Sequence, residues 1–163
     1  MANDLVTVLV GPSEDAVEIQ GALIMRQALL DTVDIAEREL IIVGYMIDDE
    51  KIVDRICSKS ASVSIIVHVD EKQTSDWPRA KAAVSKMRRS GAIVKLHNPG
   101  SRESLHAKVM VADSKEAIVG SANLTSRGAD RNFEVGVKIR GPSARILRDA
   151  MIANLGGGQG DAE

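Results

Sequence analysis

The residues best suited to chemistry stand close together in the second half of the chain. His106 and Lys108 lie two apart in the apolar run LHAKVMVA, Asp113-Ser114 reads as a turn, and a second apolar run, EAIVG, leads into Ser121-Ala122-Asn123. Read as a β-hairpin, the first strand sends Leu105, Ala107, Val109 and Val111 to one face and His106 with Lys108 to the other. The same parity puts Ser121 and Asn123 together, and Gly120 beside them leaves room for a ligand to approach the backbone. A histidine beside a cation, with a hydroxyl and an amide on the facing strand, is equipment for a phosphate ester. In-line displacement at phosphorus needs a nucleophile on one side, a proton donor on the other, and cations or N–H groups around the remaining oxygens.

The full spacing is His-x-Lys, four residues, Asp, six residues, Gly-Ser-x-Asn, followed after the loop LTSRGADR by Asn132-Phe133-Glu134. It resembles the HKD signature of the phospholipase D superfamily without a gap. The alternation of helices and strands extends the resemblance over about Gln20 to Arg140, although only the motif segment is sharply diagnostic. The resemblance implies a phosphodiesterase in which His106 attacks phosphorus to form a phosphohistidine. Lys108 and Asn123 would hold the non-bridging oxygens, Ser121 would bond to phosphate or the histidine network, and Glu134 would accept a ring N–H of a histidine. Asp113 belongs to the family pattern, but its place at the turn argues for a structural hydrogen bond.

One histidine cannot serve both sides of one phosphorus atom. A second His106 must come from another copy, most economically across a two-fold axis. The resemblance implies the same answer, since short single-motif members form homodimers with one composite site. No metal or other cofactor is needed in such a scheme, because two lysines and two amides supply the charge stabilisation that a divalent ion gives elsewhere.

These groups must be held by the rest of the fold. The 163 residues suffice for one domain, expected over 1–155, with a Gly-rich flexible tail over 156–163. Leu5 to Val10 reads as a strand, and a helix is expected from Ser13 towards Glu37, with Gly21 and the Asp31 to Asp34 stretch as weak points. ELIIVGYMI reads as a buried strand, Asp48 to Lys59 as an amphipathic helix, and SVSIIVHVD as a strand whose His68 is a core or sheet-edge histidine. Trp77-Pro78 opens a helix to Ser90, Ile93 to Leu96 is a strand, and the loop from His97 to Arg102 lies at the mouth of the site. FEVGVKIR alternates, with Phe133, Val135, Val137 and Ile139 expected on the core side, and Gly141-Pro142-Ser143 starts a last helix to Leu155. This order points to an α/β fold, an α-β-α sandwich around a mixed, largely parallel sheet, and the phospholipase D resemblance implies the same architecture.

Composition narrows the substrate. Only three aromatic residues are present, which argues against base stacking as the main mode of nucleic-acid binding. The single cysteine, Cys57, excludes an internal disulfide and reads as a small apolar residue. No cleavable signal or spanning run appears, so a cytoplasmic protein is expected. Residues 1 to 71 carry 5 basic and 14 acidic side chains, whereas residues 72 to 108 carry 9 and 2. Within that basic block Arg79, Lys81, Lys86, Arg88 and Arg89 are either a solvated helix face or a phosphate-backbone surface, and Lys95 and Arg102 can help to attract a polyanion. Nucleic acid, DNA or RNA, is therefore the favoured substrate, read through its backbone. The alternatives are a lipid phosphodiesterase and a non-catalytic nucleic-acid-binding subunit, and a targeting or ATPase partner is compatible with the nuclease reading.

Overall fold

A computed structural model describes residues 3–11, 20–98 and 104–156. The strands are β1 (Leu5–Val10), β2 (Leu23–Ile24), β3 (Glu39–Gly44), β4 (Ser64–Asp70), β5 (Ile93–His97), β6 (Val109–Ala112), β7 (Glu116–Gly120) and β8 (Val135–Arg140). The helices are α1 (Met25–Ile35), α2 (Glu50–Lys59), α3 (Glu71–Asp76), α4 (Pro78–Arg89), α5 (Ser126–Asp130) and α6 (Pro142–Leu155). The strands form one sheet in the order β2-β1-β8-β7-β6-β3-β4-β5.

The sheet is mixed, as expected, but not largely parallel. Parallel pairing is confined to β1 with β2, β3 with β4 and β4 with β5, where a helix or long connection carries the chain back. The other pairings, β1–β8, β3–β6, β6–β7 and β7–β8, are antiparallel, and of these only β6–β7 is a tight hairpin, whose short connection can only reverse direction.

Helices α1, α2 and α4 cover one face. Met25, Leu29 and Val33 of α1, Ile52 and Ile56 of α2, and Val84 and Met87 of α4 pack there on Leu40, Ile42, Val67, Met110 and Ile118. Helix α6 covers the middle of the other face, over Ile41, Val43, Val109, Val111 and Ala117. Strand β3 lies between these layers and is apolar on both sides, which is why its sequence does not alternate. Helix α1 starts at Met25, later than expected, because Gly21 takes a left-handed φ of 86° and Leu23-Ile24 extends along β1. It then runs through Asp31 to Asp34 without a break. The Ser13 start and the tail from residue 157 lie outside the described residues.

Strand β8 reverses the expected parity. Glu134, Gly136 and Lys138 are buried, whereas Phe133 is 79% and Val135 45% exposed. The cause is a buried polar cluster under α1: Lys138 Nζ stands 3.0 Å from Glu116 Oε1, which also accepts the Thr32 hydroxyl at 2.7 Å. Burial acts to raise the Glu116 carboxyl, but bonds from Thr32, Arg140 and Lys138 outweigh it and hold the group below its usual range. With Lys138 satisfied inside, the valines of β8 turn to the face that α6 leaves bare.

The motif hairpin β6–β7 turns at Asp113 and Ser114, both left-handed at φ 51° and 58°, and Lys115 N–H closes the turn on Ala112 C=O at 2.9 Å. Aspartate tolerates this backbone better than most residues. The Asp113 carboxylate accepts the backbone N–H groups of Glu37, Arg38 and Glu39 at 2.8, 2.9 and 2.9 Å. Burial opposes its charge, yet the three bonds hold its carboxyl below the usual range. Asp113→Ala removes the acceptor for three N–H groups and is expected to cost about 2 kcal/mol in urea unfolding, with Asp113→Asn intermediate.

Candidate active site

Strands β1, β3, β4 and β7 end, and β6 and β8 begin, at one end of the sheet. The motif side chains gather there. Ser104 to Lys108 has no regular secondary structure and lies outside the sheet ladder. Two bonds fix it: Leu105 N–H donates to Asp70 Oδ2 at 3.0 Å, and Gly120 N–H donates to Lys108 C=O at 3.3 Å. Asp70 is buried and also caps α3 by accepting Gln73 N–H at 3.0 Å, so one carboxylate ties the histidine segment to the end of β4.

Lys108 turns back on His106. Its Nζ lies 3.0 Å from His106 Nδ1 and 2.8 Å from the His106 carbonyl oxygen. Burial pushes the Lys108 ammonium below its ordinary value, and the Glu134 charge works against that shift. The Tyr45 ring completes this corner, its centroid 5.0 Å from that of the His106 ring, with Lys108 Nζ 5.7 Å from the Tyr45 centroid.

On the neighbouring strands Ser121 Oγ–H donates to Glu134 Oε2, and Val135 N–H donates to Ser121 Oγ at 3.1 Å. Asn132 Nδ2 donates to Glu134 Oε1 at 3.3 Å. Within one chain Glu134 therefore holds Ser121 and Asn132 rather than the histidine, because β7 and β8 are adjacent while His106 precedes β6. Asn123 follows Ser121, and its side-chain oxygen is buried without a hydrogen-bond partner among the described residues. Gly120 faces Gly136 across the ladder, and a Cβ on Gly120 would stand 3.1 Å from Gly136 Cα and Val135 O. Its small size thus serves strand packing.

Other expected contributors are dispersed. Arg79, Lys86 and Arg89 line a cleft of about 360 Å³ between α2 and α4, together with Asp48, Glu50 and Asp54, and Lys86 is paired with Asp54. Arg88 donates to Val94 C=O at 2.7 Å, and Lys81 is exposed. Of the basic residues of α4, Lys86 is thus paired with an acid of α2, and Arg79 and Arg89 share the cleft with Glu50. Lys95 stands opposite His68 on β5 and approaches Gly156 at the end of α6. Arg102 lies outside the described residues. His97, expected in a loop, ends β5, where its Nε2 lies 2.7 Å from Nδ1 of the buried His68. Burial, His97 and Lys95 push the His68 imidazole down to about 4. Among the described residues no three His, Cys, Asp or Glu side chains form a metal-binding group, and no helix is long and apolar enough to cross a membrane.

Tyr45, Asp70 and Gly128 were not evident as site residues in the sequence. Gly128 sits in α5 directly behind Asn123: a Cβ there would stand 2.3 Å from the Asn123 carbonyl oxygen. Arg26 bonds both Asp49 and Asp130, tying α1 and the α2 cap to this short helix. Only the glycine inside the loop LTSRGADR hinted at so close an approach.

A mixed sheet with the motif side chains gathered at one end is the arrangement of a phospholipase D-like domain. The family described as cardiolipin synthase, PLD-like domain matches residues 29–151, and the chain belongs to that family. Among solved structures it is similar to Nuc from Salmonella typhimurium, described as a phospholipase D family member, with a TM-score of 0.79 at 20% identity over 94% of this chain and 95% of that one. It is also similar to NucT from Helicobacter pylori, with a TM-score of 0.74 at 17% identity over 93% and 94% of the two chains. Among curated relatives, DISARM protein DrmC of Bacillus paralicheniformis is 23% identical over 72% of this chain and 50% of its own length. Cardiolipin synthase A of Buchnera aphidicola is 28% identical over 68% of this chain and 23% of its own. The matches thus span half or less of those relatives.

Two outcomes test this geometry. Gly128→Ala is expected to displace Asn123 and to lower stability by about 1–3 kcal/mol, measurable by urea unfolding. His68 protonates near 6.5 in the unfolded chain but at about 4 in the fold, so between those values the unfolded chain binds more protons. Stability should fall by up to about 3 kcal/mol as pH drops through that window, and the slope should flatten when His68 and His97 are both replaced by Gln.

Proposed function

We propose that the protein is a metal-independent phosphodiesterase, a nuclease cleaving DNA or RNA through a phosphohistidine in a homodimeric composite site. The observation that carries this reading is the convergence of His106, Lys108, Ser121 and Glu134 on one end of the sheet, with one histidine where the chemistry needs two. A ring nitrogen of His106 attacks phosphorus as the bond to the leaving alcohol breaks, and His106 of the partner subunit gives that alcohol its proton. Water then attacks the phosphohistidine, passing its proton to the partner's His106 as the phosphorus–nitrogen bond breaks. Lys108 and Asn123 of both copies hold the non-bridging oxygens, with the incoming phosphate drawing Lys108 away from His106. Glu134 keeps Ser121 oriented within its own chain, and stands ready for a histidine of the other copy.

The face that, among the described residues, only α6 covers supports the dimer. Val6 and Val8 of β1, 56% and 48% exposed, share it in register with Ile139 and Val137, and the strip continues through Val135 to Phe133, on either side of Glu134. An apolar strip that reaches the unfinished site is suited to a second copy that completes it. The preference for nucleic acid rests on the basic segment from Lys72 to Lys108, with little sequence selectivity from backbone contacts. Pairing of Lys86 with Asp54 weakens the contribution of α4.

The family description and the cardiolipin synthase relatives favour a second reading, phospholipid as substrate. Assay on single-stranded DNA, duplex DNA, RNA and anionic phospholipid vesicles separates the two. Cleavage is expected to persist in EDTA, and its complete loss with recovery on adding a divalent ion would refute the mechanism. His106→Ala should reduce turnover by at least about 10³-fold, and no phosphoprotein should be trapped with it. Val8→Lys together with Val135→Lys should yield monomers by sedimentation and lower activity in parallel; full activity as a monomer would end the composite-site reading.

A further inference from the structure

Tyr45 has no place in the motif, yet its ring is packed on the catalytic pair. It follows Gly44 at the end of β3, the central strand that pairs with β4 on one side and β6 on the other. The loop it opens is fixed to the other arm of the motif. Ile47 makes a parallel bridge with Leu124, and the Asp48 and Asp49 N–H groups donate to Leu124 C=O at 3.1 and 3.2 Å. Leu124 directly follows Asn123. Asp49 in turn caps α2 through Ile52 N–H at 3.0 Å and accepts Arg26 at 2.6 Å, so the loop has little freedom to move. From this mount the half-buried ring meets the His106 imidazole at 5.0 Å and 56°, and faces Lys108 Nζ at 5.7 Å.

The histidine segment has the opposite character. Ser104 to Lys108 runs outside the ladder, and its two backbone anchors fix Leu105 and Lys108 but do not themselves hold the His106 ring, whose contacts are Lys108 and Tyr45. An attacking nitrogen must be held near 3 Å from phosphorus and in line with the leaving oxygen, and a small misplacement costs orders of magnitude. A tilted aromatic contact and a cation over a ring face each contribute about 1 kcal/mol and are directional. We propose that Tyr45 is a positioning residue, which holds the His106 ring in its attacking plane and keeps the Lys108 ammonium beside it. This rests on the phosphodiesterase reading for its catalytic meaning, whereas the ring contact stands independently.

The chain contains three histidines and one tyrosine, so the test is spectroscopically simple. In protein labelled with ¹³C-histidine, the His106 ring signal, identified by its loss in His106→Ala, should move in Tyr45→Leu and stay near its wild-type position in Tyr45→Phe. In EDTA, Tyr45→Leu should lose at least tenfold in kcat on both bis(p-nitrophenyl) phosphate and a single-stranded oligonucleotide, with KM within twofold. Tyr45→Phe, which keeps the ring, should restore kcat to within twofold. Should Tyr45→Leu lose cooperative unfolding, Tyr45→Gln takes its place. An unmoved His106 signal, an unchanged kcat, or a loss confined to KM on the oligonucleotide would overturn the proposal, the last making Tyr45 a base platform instead. A wild type inactive on every phosphodiester defeats the functional reading alone, and the histidine signal still decides the contact.

Discussion

The backbone ladder around the β6–β7 hairpin is the constraint on which the rest of this structure depends. These strands lie inside the sheet, with β3 bonded to β6 and β8 bonded to β7. A slip of one residue would send every side chain of the hairpin to the wrong face and unpair two neighbours at once. Asp113 locks the far end against the start of β3. With the turn fixed and both flanks paired, Lys108 and Gly120 emerge together at the opposite end, and Ser121 arrives beside Glu134.

The polar groups inside this fold are settled in different ways according to their surroundings. Lys138 can lie beneath α1 because Glu116 and Thr32 meet it there. His68 is kept neutral against His97, a pairing that works while one ring supplies a proton and the other a lone pair. Lys108 is different: its partners are the ring and carbonyl of the residue it would assist. Such an arrangement is complete in itself, and under the proposed reaction a phosphate's charge would take the place of these partners.

The two faces of the sheet are unequally covered, and this asymmetry is linked to the site. Among the described residues helices including α1, α2 and α4 bury one face, whereas α6 shields the middle of the other and leaves valines of β1 and β8 exposed. A monomer seldom leaves such a strip beside a functional centre without use. Reversal of the β8 parity creates that strip, so the buried Glu116–Lys138 pair and the exposed valines are two sides of one packing decision.

The motif, the turn at Asp113, the buried strands β3 and β4, and the family were legible in the sequence, because each rests on fixed spacing or local periodicity. The α-β-α layering followed from the order of helices and strands. The proportion of parallel pairing did not, since it depends on which strands become neighbours. The parity of FEVGVKIR misled for a related reason: alternation separates two faces but does not say which one a helix will cover, and a lysine reads as exposed until its buried partner is known. Tyr45, Asp70 and Gly128 carry no spacing signature; their contacts with His106, Leu105 and Asn123 arise between segments distant in sequence. Residue identity thus set which chemistry is available, whereas three-dimensional packing alone decided which groups face one another, because contact is a property of the folded backbone and not of chain order.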